Sequence, residues 1–253
     1  RAHERVSWQS KRHFFYNLVI PKPDRPHYIV HEKFHLLEAI GYQPKNTLPV
    51  LPWHEPDLKP LTEFWDTHGE MRGRPMTVVL SPTHRHPVRR WPLEAYAKLA
   101  EKLVTEWQAA VVWLWGPGEK ELVESCQQLC QKPTWLAPAT TFRQMAALMA
   151  NMDLFIGNSN GPSHVAVAVG IPSFQIHGPT RLASWCPQTK EHTGIEVAVQ
   201  GGKRSPIASV SLDQVWQKLQ KSHDFYREFA ARQREQGIRL RWSQEALQGA
   251  ETV

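Results

Sequence analysis

The sequence predicts an α/β fold, a parallel sheet with helices packed on both of its faces. Three observations carry that expectation. Between residues 77 and 176 short apolar runs alternate with segments of helical period. The runs are apolar at successive positions rather than at every second one, and glycine and polar residues gather where they end. A strand that is apolar on both faces must be covered on both, which is the condition of a parallel sheet between helical layers.

The elements follow in order. Thr77-Val78-Val79-Leu80-Ser81 is a short β-branched strand. Pro92 then opens a helix with Leu93, Tyr96, Ala97, Ala100 and Leu103 on one face. Ala110 to Trp115 is the next buried strand; it ends at Gly116-Pro117-Gly118, before a helix from Glu119 to about Gln131. Thr134-Trp135-Leu136 is a third strand, and Thr141-Phe142-Arg143-Gln144 has capping-box spacing for a helix through Leu148. Leu154 to Ile156 is a fourth strand, and Ser173 to Ile176 a fifth.

Between those last two strands lies Gly157-Asn158-Ser159-Asn160-Gly161-Pro162-Ser163-His164, followed by a small-residue helix from Val165 to Gly170. Pro162 suits a first helical turn. Gly161 is expected to give a sharp turn and a close backbone approach, leaving the first N–H groups of the helix open to an anion. Ligands of parallel sheets gather at the carboxyl ends of the strands. The loops at 81–91, 116–121, 157–164 and 177–187 all lie there.

The flanks differ. Residues 1 to 45 contain a strand at Arg5-Val6-Ser7-Trp8 and a helix from about Pro26 to Ile40, too little to close a second α/β core. Residues 46 to 75 are proline-punctuated, with a helix around Leu61 to Trp65. Ser211-Leu212-Asp213-Gln214 is another capping box, with Leu212, Val215, Trp216 and Leu219 turned inward. From Ser222 to Gln248 the chain reads as a basic, weakly amphipathic helix.

Composition narrows the function. Hydrophobic residues make up 41% and charged residues 21%, as in a folded, water-soluble protein. No apolar run approaches the roughly 20 residues that span a bilayer, and Leu18-Val19-Ile20 is too short for an export signal. Three cysteines with no Cys-x-x-Cys pair favour reduced thiols and a cytoplasmic setting over a disulfide framework. Buried helix cysteines are commoner than a metal site built from Cys126, Cys130 and Cys186. His27, His31 and His35 share a helix face, most simply as a surface cluster. No metal site is therefore expected. The charge of +6 favours an anionic partner, and its densest patch is His84-Arg85-His86 with Arg89-Arg90. With no nucleic-acid motif and scattered basic residues, nucleic acid is not the expected partner.

Asn158, Ser159, Asn160, Gly161, Pro162 and His164 form the first candidate site, for a phosphate-bearing ligand. Arg89 and Arg90 precede a helix start, where acidic neighbours are the rule, so an anion between them and the dipole explains them better than a solvated pair. Neighbouring residues of an extended loop face opposite ways, so one of the two points inward. Glu119 and Glu121 are first-turn carboxylates, one of which can accept from a ribose diol; the residues alone do not choose between them. Thr180 is a diphosphate contact or a turn cap, and Trp91 packs beneath its loop.

Three blocks, in order and in spacing, resemble the donor-binding lobe of the lipopolysaccharide heptosyltransferases, glycosyltransferase family nine. They are Ser81-Pro82-Thr83 with Arg89-Arg90-Trp91-Pro92, then Leu114-Trp115-Gly116-Pro117-Gly118-Glu119-Lys120-Glu121, then Asn158 to His164 with His177-Gly178-Pro179-Thr180 and Trp185-Cys186-Pro187. The resemblance is strongest over residues 76 to 190. It implies a Rossmann-like sheet, one lobe of a two-lobed B-type glycosyltransferase, with no cofactor and no metal, since the nucleotide sugar is a substrate.

On that resemblance residues 1–45, with Arg12 and Tyr16, are the tail of a missing amino-terminal lobe. Residues 46–222 are the nucleotide-sugar-binding lobe and 223–253 a helical extension. The donor is a nucleotide-diphosphate sugar, ADP-heptose by resemblance, held by Thr83, Arg89, Glu119 or Glu121, Asn158 to Pro162, His164 and Thr180. The acceptor is the lipopolysaccharide core, reached at the cytoplasmic face of the inner membrane by peripheral contact. The catalytic base is expected in the missing lobe, so no catalytic residue is expected here and the chain alone should be inactive. The family usually has Asp where Ser159 stands and Lys where Arg89 stands; Arg keeps the charge but is not isosteric. Transfer from another nucleotide sugar, or a non-catalytic basic nucleotide- or nucleic-acid-binding module, is the alternative.

Overall fold

A computed structural model describes residues 5–10, 13–22, 27–43 and 48–235. Val6–Trp8 (β1) and Leu18–Ile20 (β2) pair in parallel as a small separate ribbon, followed by helix α1, Ile29–Glu38. Helix α2, Lys59–Thr67, leads into the main sheet. Its strands and helices alternate as β3 (Thr77–Ser81), α3 (Leu93–Glu106), β4 (Ala110–Trp113), α4 (Lys120–Leu129), β5 (Trp135–Leu136) and α5 (Phe142–Ala150). They continue as β6 (Leu154–Asn158), α6 (Gly161–Ala168), β7 (Ser173–His177), α7 (Leu182–Trp185) and β8 (His192–Glu196). A hairpin of β9 (Val199–Gln200) and β10 (Lys203–Arg204) precedes α8 (Leu212–Gln220) and α9 (His223–Glu235).

The six main strands are all parallel and run in the order β5-β4-β3-β6-β7-β8. That is the doubly wound order, and it reverses direction between β3 and β6, where a crevice opens at the strands' carboxyl ends. The expected α/β class is therefore the observed one. Side chains of period two explain why both faces are covered. Val78, Leu80, Val111, Trp113, Leu154 and Ile156 share a core with α3, α4, α8 and α9. Val79, Ala110, Val112 and Phe155, the alternate positions, share another with α2, α5 and α6.

Both expected capping boxes form: Thr141 and Ser211 accept from the backbone of Gln144 and Gln214, and each glutamine returns the bond. Two features depart from the expectation. His27 lies before α1, so it does not share a helix face with His31 and His35. β8 and the β9–β10 hairpin occupy a stretch that carries no apolar run. Arg12 and residues 236 to 248 of the expected terminal helix lie outside the described residues.

All three cysteines are buried and free, and burial pushes Cys126 up to about 12 and Cys186 up to about 11. As protonated thiols they are inert core residues. Among the described residues no cluster of His, Cys, Asp or Glu is arranged to hold a metal, and no helix is long and apolar enough to cross a membrane.

Two buried histidines make the fold sensitive to acid. His177 bonds Gln175 Oε1 (3.0 Å) and Thr180 Oγ1 (3.2 Å), and His192 bonds Ser173 Oγ (3.0 Å). Burial lowers both imidazoles to about 4. An unfolded histidine takes its proton near pH 6.5, so unfolding binds protons that the native state refuses. The stability contributed by neutral burial is complete above that pH and is lost as pH falls toward about 4. Each group contributes on the order of 3 kcal/mol. Thermal unfolding should show the midpoint dropping between pH 7 and 4.5, and His192→Gln should flatten that drop.

Candidate functional site

The crevice between β3 and β6 is bounded by the loop 82–91 after β3 and by the turn from β6 into α6. It holds two adjoining basins of about 330 and 340 Å³. One is lined by His84, Arg85, His86, Arg89, Ser159, Asn160, Gly161, His164 and Trp185. The other has an apolar wall of Leu114, Trp115, Pro117, Phe142, Met145 and Pro162, with Thr83 and Glu119 on its polar side. His84, Arg85, Asn160 and Gly161 border both, so the basins meet at the start of α6.

The helix start is more occupied than the sequence suggests. Asn160 is the N-cap: its Oδ1 accepts from the Ser163 N–H at 3.2 Å. Pro162 has no N–H to offer, so Gly161 presents the first amide, backed by the helix dipole. The chain does turn sharply here, β6 ending at Asn158 and α6 beginning at Gly161, but the φ of Gly161 lies outside the left-handed region that demands glycine. A Cβ placed there would meet nothing within 4 Å. Glycine is not needed for the backbone at this point; what its missing side chain leaves is open space at the junction of the basins.

In the loop, the two arginines separate as alternation predicts. Arg90 Nε donates to the His84 carbonyl at 2.6 Å and serves the loop's own structure. Arg89 lines the basic basin. Arg85, noted in the sequence only as part of a charged patch, joins it there. His84 Nδ1 accepts from the His86 N–H at 2.9 Å. Burial lowers its pKa, with the Arg89 guanidinium adding to the effect, so it sits as a neutral imidazole. Burial likewise lowers His164, whose ring lies edgewise to Trp185 at 5.8 Å. The permanent positive charge of the basin is thus that of Arg85 and Arg89.

Across the apolar basin, Glu119 folds back over its own turn. Its Oε2 accepts from Thr83 Oγ1 at 2.7 Å and from the Gly116 N–H at 3.0 Å. Glu121 is exposed on α4 and lines neither basin, so of the two carboxylates Glu119 is the one at the basin. Two further candidates are also corrected. Asn158 is completely buried, with Oδ1 on the Trp91 N–H and Nδ2 on the Pro82 and Thr83 carbonyls, and offers no surface to a ligand. Thr180 pairs with His177 and takes a bond from Arg204 on its carbonyl; it borders neither basin. Thr83, Arg89, Glu119, Ser159, Asn160, Gly161, Pro162 and His164 are brought together. Phe142 and Met145 escaped the sequence reading because α5 packs at the site from a distance; the one available signal was an apolar residue at an exposed first-turn position.

The arrangement has an apolar slot with one carboxylate beside it, a basic basin, and a helix start between them. Several known proteins share the architecture. The crystal structure of a glycosyl transferase family 9 protein from Veillonella parvula superposes with a TM-score of 0.69 at 20% identity, over 82% of this chain and 63% of that one. The E. coli heptosyltransferase WaaC with ADP gives 0.58 at 16% identity, over 83% and 61%. In sequence, the lipopolysaccharide core heptosyltransferase OpsX of Haemophilus influenzae is 27% identical over 177 residues, which is 68% of this chain and 49% of that protein. The chain spans about half the length of the curated relatives that it matches. Residues 1–211 match the family model described as glycosyltransferase family 9 (heptosyltransferase), and the chain belongs to that family.

Proposed function

We propose that this chain supplies the nucleotide-sugar side of a glycosyl transfer, with the nucleoside in the apolar basin and the diphosphate at the junction. The observation that carries the reading is that Arg85, Arg89 and Gly161 line one basin, which adjoins an apolar slot. Phe142, Met145 and Trp115 offer the flat apolar contact a base needs, and Glu119 is placed to accept from a ribose hydroxyl. The transferred sugar then falls in the basic basin, against Ser159, His164 and Trp185.

Negative charge grows on the diphosphate as the glycosidic bond breaks. Fixed guanidinium groups and an oriented amide stabilise that charge without reorganising, which is how such a site lowers the barrier. Among the described residues that line the basins, Glu119 is the one carboxylate, and it is held by Thr83 and Gly116. The base that activates the acceptor hydroxyl is accordingly assigned outside these basins. The family's name and that of the Haemophilus influenzae relative favour heptose as the sugar and the lipopolysaccharide core as acceptor. ADP is proposed as the carrier, as in the WaaC structures with ADP and with ADP-2-deoxy-2-fluoro heptose, and the cytoplasmic face of the inner membrane as the place of transfer.

The test is calorimetry with ADP and with adenosine. ADP is expected to bind at least about tenfold more tightly, the value of one charge-assisted contact. Equal affinities would remove the diphosphate subsite from the reading.

A further inference from the structure

Asn158, the last residue of β6, is completely buried, and each hydrogen bond of its side chain goes to one loop. Its Oδ1 accepts the Trp91 N–H at 3.0 Å; its Nδ2 donates to the Pro82 carbonyl at 2.9 Å and the Thr83 carbonyl at 3.3 Å. Carbonyls only accept and an N–H only donates, so the amide has one possible orientation. Pro82 and Thr83 begin the basic loop and Trp91 ends it. A single side chain therefore ties both ends of a segment whose only regular structure is the short turn Pro87–Arg89. Asn160 ties the same loop from two residues on. Its Nδ2 donates to Ser81 Oγ at 2.9 Å and to the Thr83 carbonyl at 3.0 Å while its Oδ1 caps α6.

We propose that Asn158 is a positioning residue, which sets Arg85 and Arg89 against the diphosphate subsite by fixing both ends of the loop that bears them. This rests on the nucleotide-binding reading above. Long side chains lose rotamer freedom when they bind, and a backbone that wanders as well would cost more. A loop pinned at both ends delivers its guanidinium groups already in place. Only a primary amide meets these three partners: a carboxylate has no donor for the carbonyls, and a hydroxyl has neither the reach nor the number of bonds.

The experiment measures ADP and adenosine binding by calorimetry for wild type, Asn158→Asp, Asn158→Ser, Arg89→Ala and the double variant Asn158→Asp/Arg89→Ala. Urea unfolding accompanies each. Asn158→Asp matches the native shape, and Asn158→Ser gives a smaller change if the first fails to fold. ADP affinity should fall about tenfold or more in the Asn158 variants while adenosine affinity stays unchanged. In the Arg89→Ala background the Asn158→Asp change should cost ADP less than it does alone, because part of its effect runs through Arg89 and the rest through Arg85. A folded variant that keeps its ADP affinity would overturn the proposal. So would losses that add fully in the double variant, or equal losses for ADP and adenosine, which mark a purely structural residue. A wild-type protein with no preference for ADP would instead remove the nucleotide-binding reading beneath it.

Discussion

Replacing Gly161 with valine should abolish nucleotide binding and leave the fold almost untouched. The two halves of that expectation come from one feature, the open space around the position. Beyond its chain neighbours and its own helix's backbone, no heavy atom lies within 4 Å of a Cβ built there, and its φ is not in the left-handed region. Valine at a first helical position costs only a few tenths of a kcal/mol, about what propensity allows. The same side chain stands where the two basins join, beside the amide proposed to meet the diphosphate. On that proposal a branched carbon group there would occupy the ligand's volume and force polar oxygens against methyl groups. Circular dichroism and the unliganded melting temperature should match wild type, and the rise in melting temperature on adding ADP should vanish. A normal ADP-induced rise would show that the diphosphate lies elsewhere.

Trp91→Ala should be the most destabilising single change at the site, costing about 3–5 kcal/mol. The indole is completely buried in the core beneath α3 and lies edgewise on Tyr96 with ring centroids 5.0 Å apart. Its Nε1 donates to the Val210 carbonyl at 2.8 Å, joining the loop to the segment before α8. Alanine would leave a large void and an unpaired carbonyl, and the two penalties act together. Trp91→Phe, which keeps most of the volume and loses the bond, should cost distinctly less. Urea unfolding midpoints for the pair measure the difference. Equal losses would mean that the hydrogen bond, and not the packing, accounts for the residue.

The central strands were legible because burial on both faces leaves an unbroken apolar run, as in Val78-Val79-Leu80 and Leu154-Phe155-Ile156. β8 was not, since His192-Thr193-Gly194-Ile195-Glu196 is an edge strand whose pairing with β7 is set by register and by the His192–Ser173 bond. Neither has a local signature. The same division runs through the site. Arg89 and His164 were legible because each stands within a short motif of strand, loop and helix start. Glu119 could be told from Glu121 only once the turn at Gly116 showed which carboxylate folds back. Asn158 and Asn160 look equivalent in sequence, but strand alternation and the helix cap give them different neighbours. Arg85, Phe142 and Trp185 reach the cleft from elements that fold locally for other reasons.

The pairing of β3 with β6 has a consequence for how the protein comes to be competent at all. Asn158 and Pro82, which meet across that pairing, are 76 residues apart in the chain. The segment between them, which carries β4 and β5, is one long crossover, and contacts of such long separation are slow to form. Neither half of the cleft holds a ligand site alone: one side brings the guanidinium groups, the other the helix start. A ligand that needs both recognises only molecules that have completed the closure. By mass action it then adds roughly 2.7 kcal/mol to the closed state at a hundred times its dissociation constant. With the proposed nucleotide ligand abundant, binding would therefore act on the newly made chain as a test of completeness, retaining finished molecules and leaving unfinished ones to proteolysis.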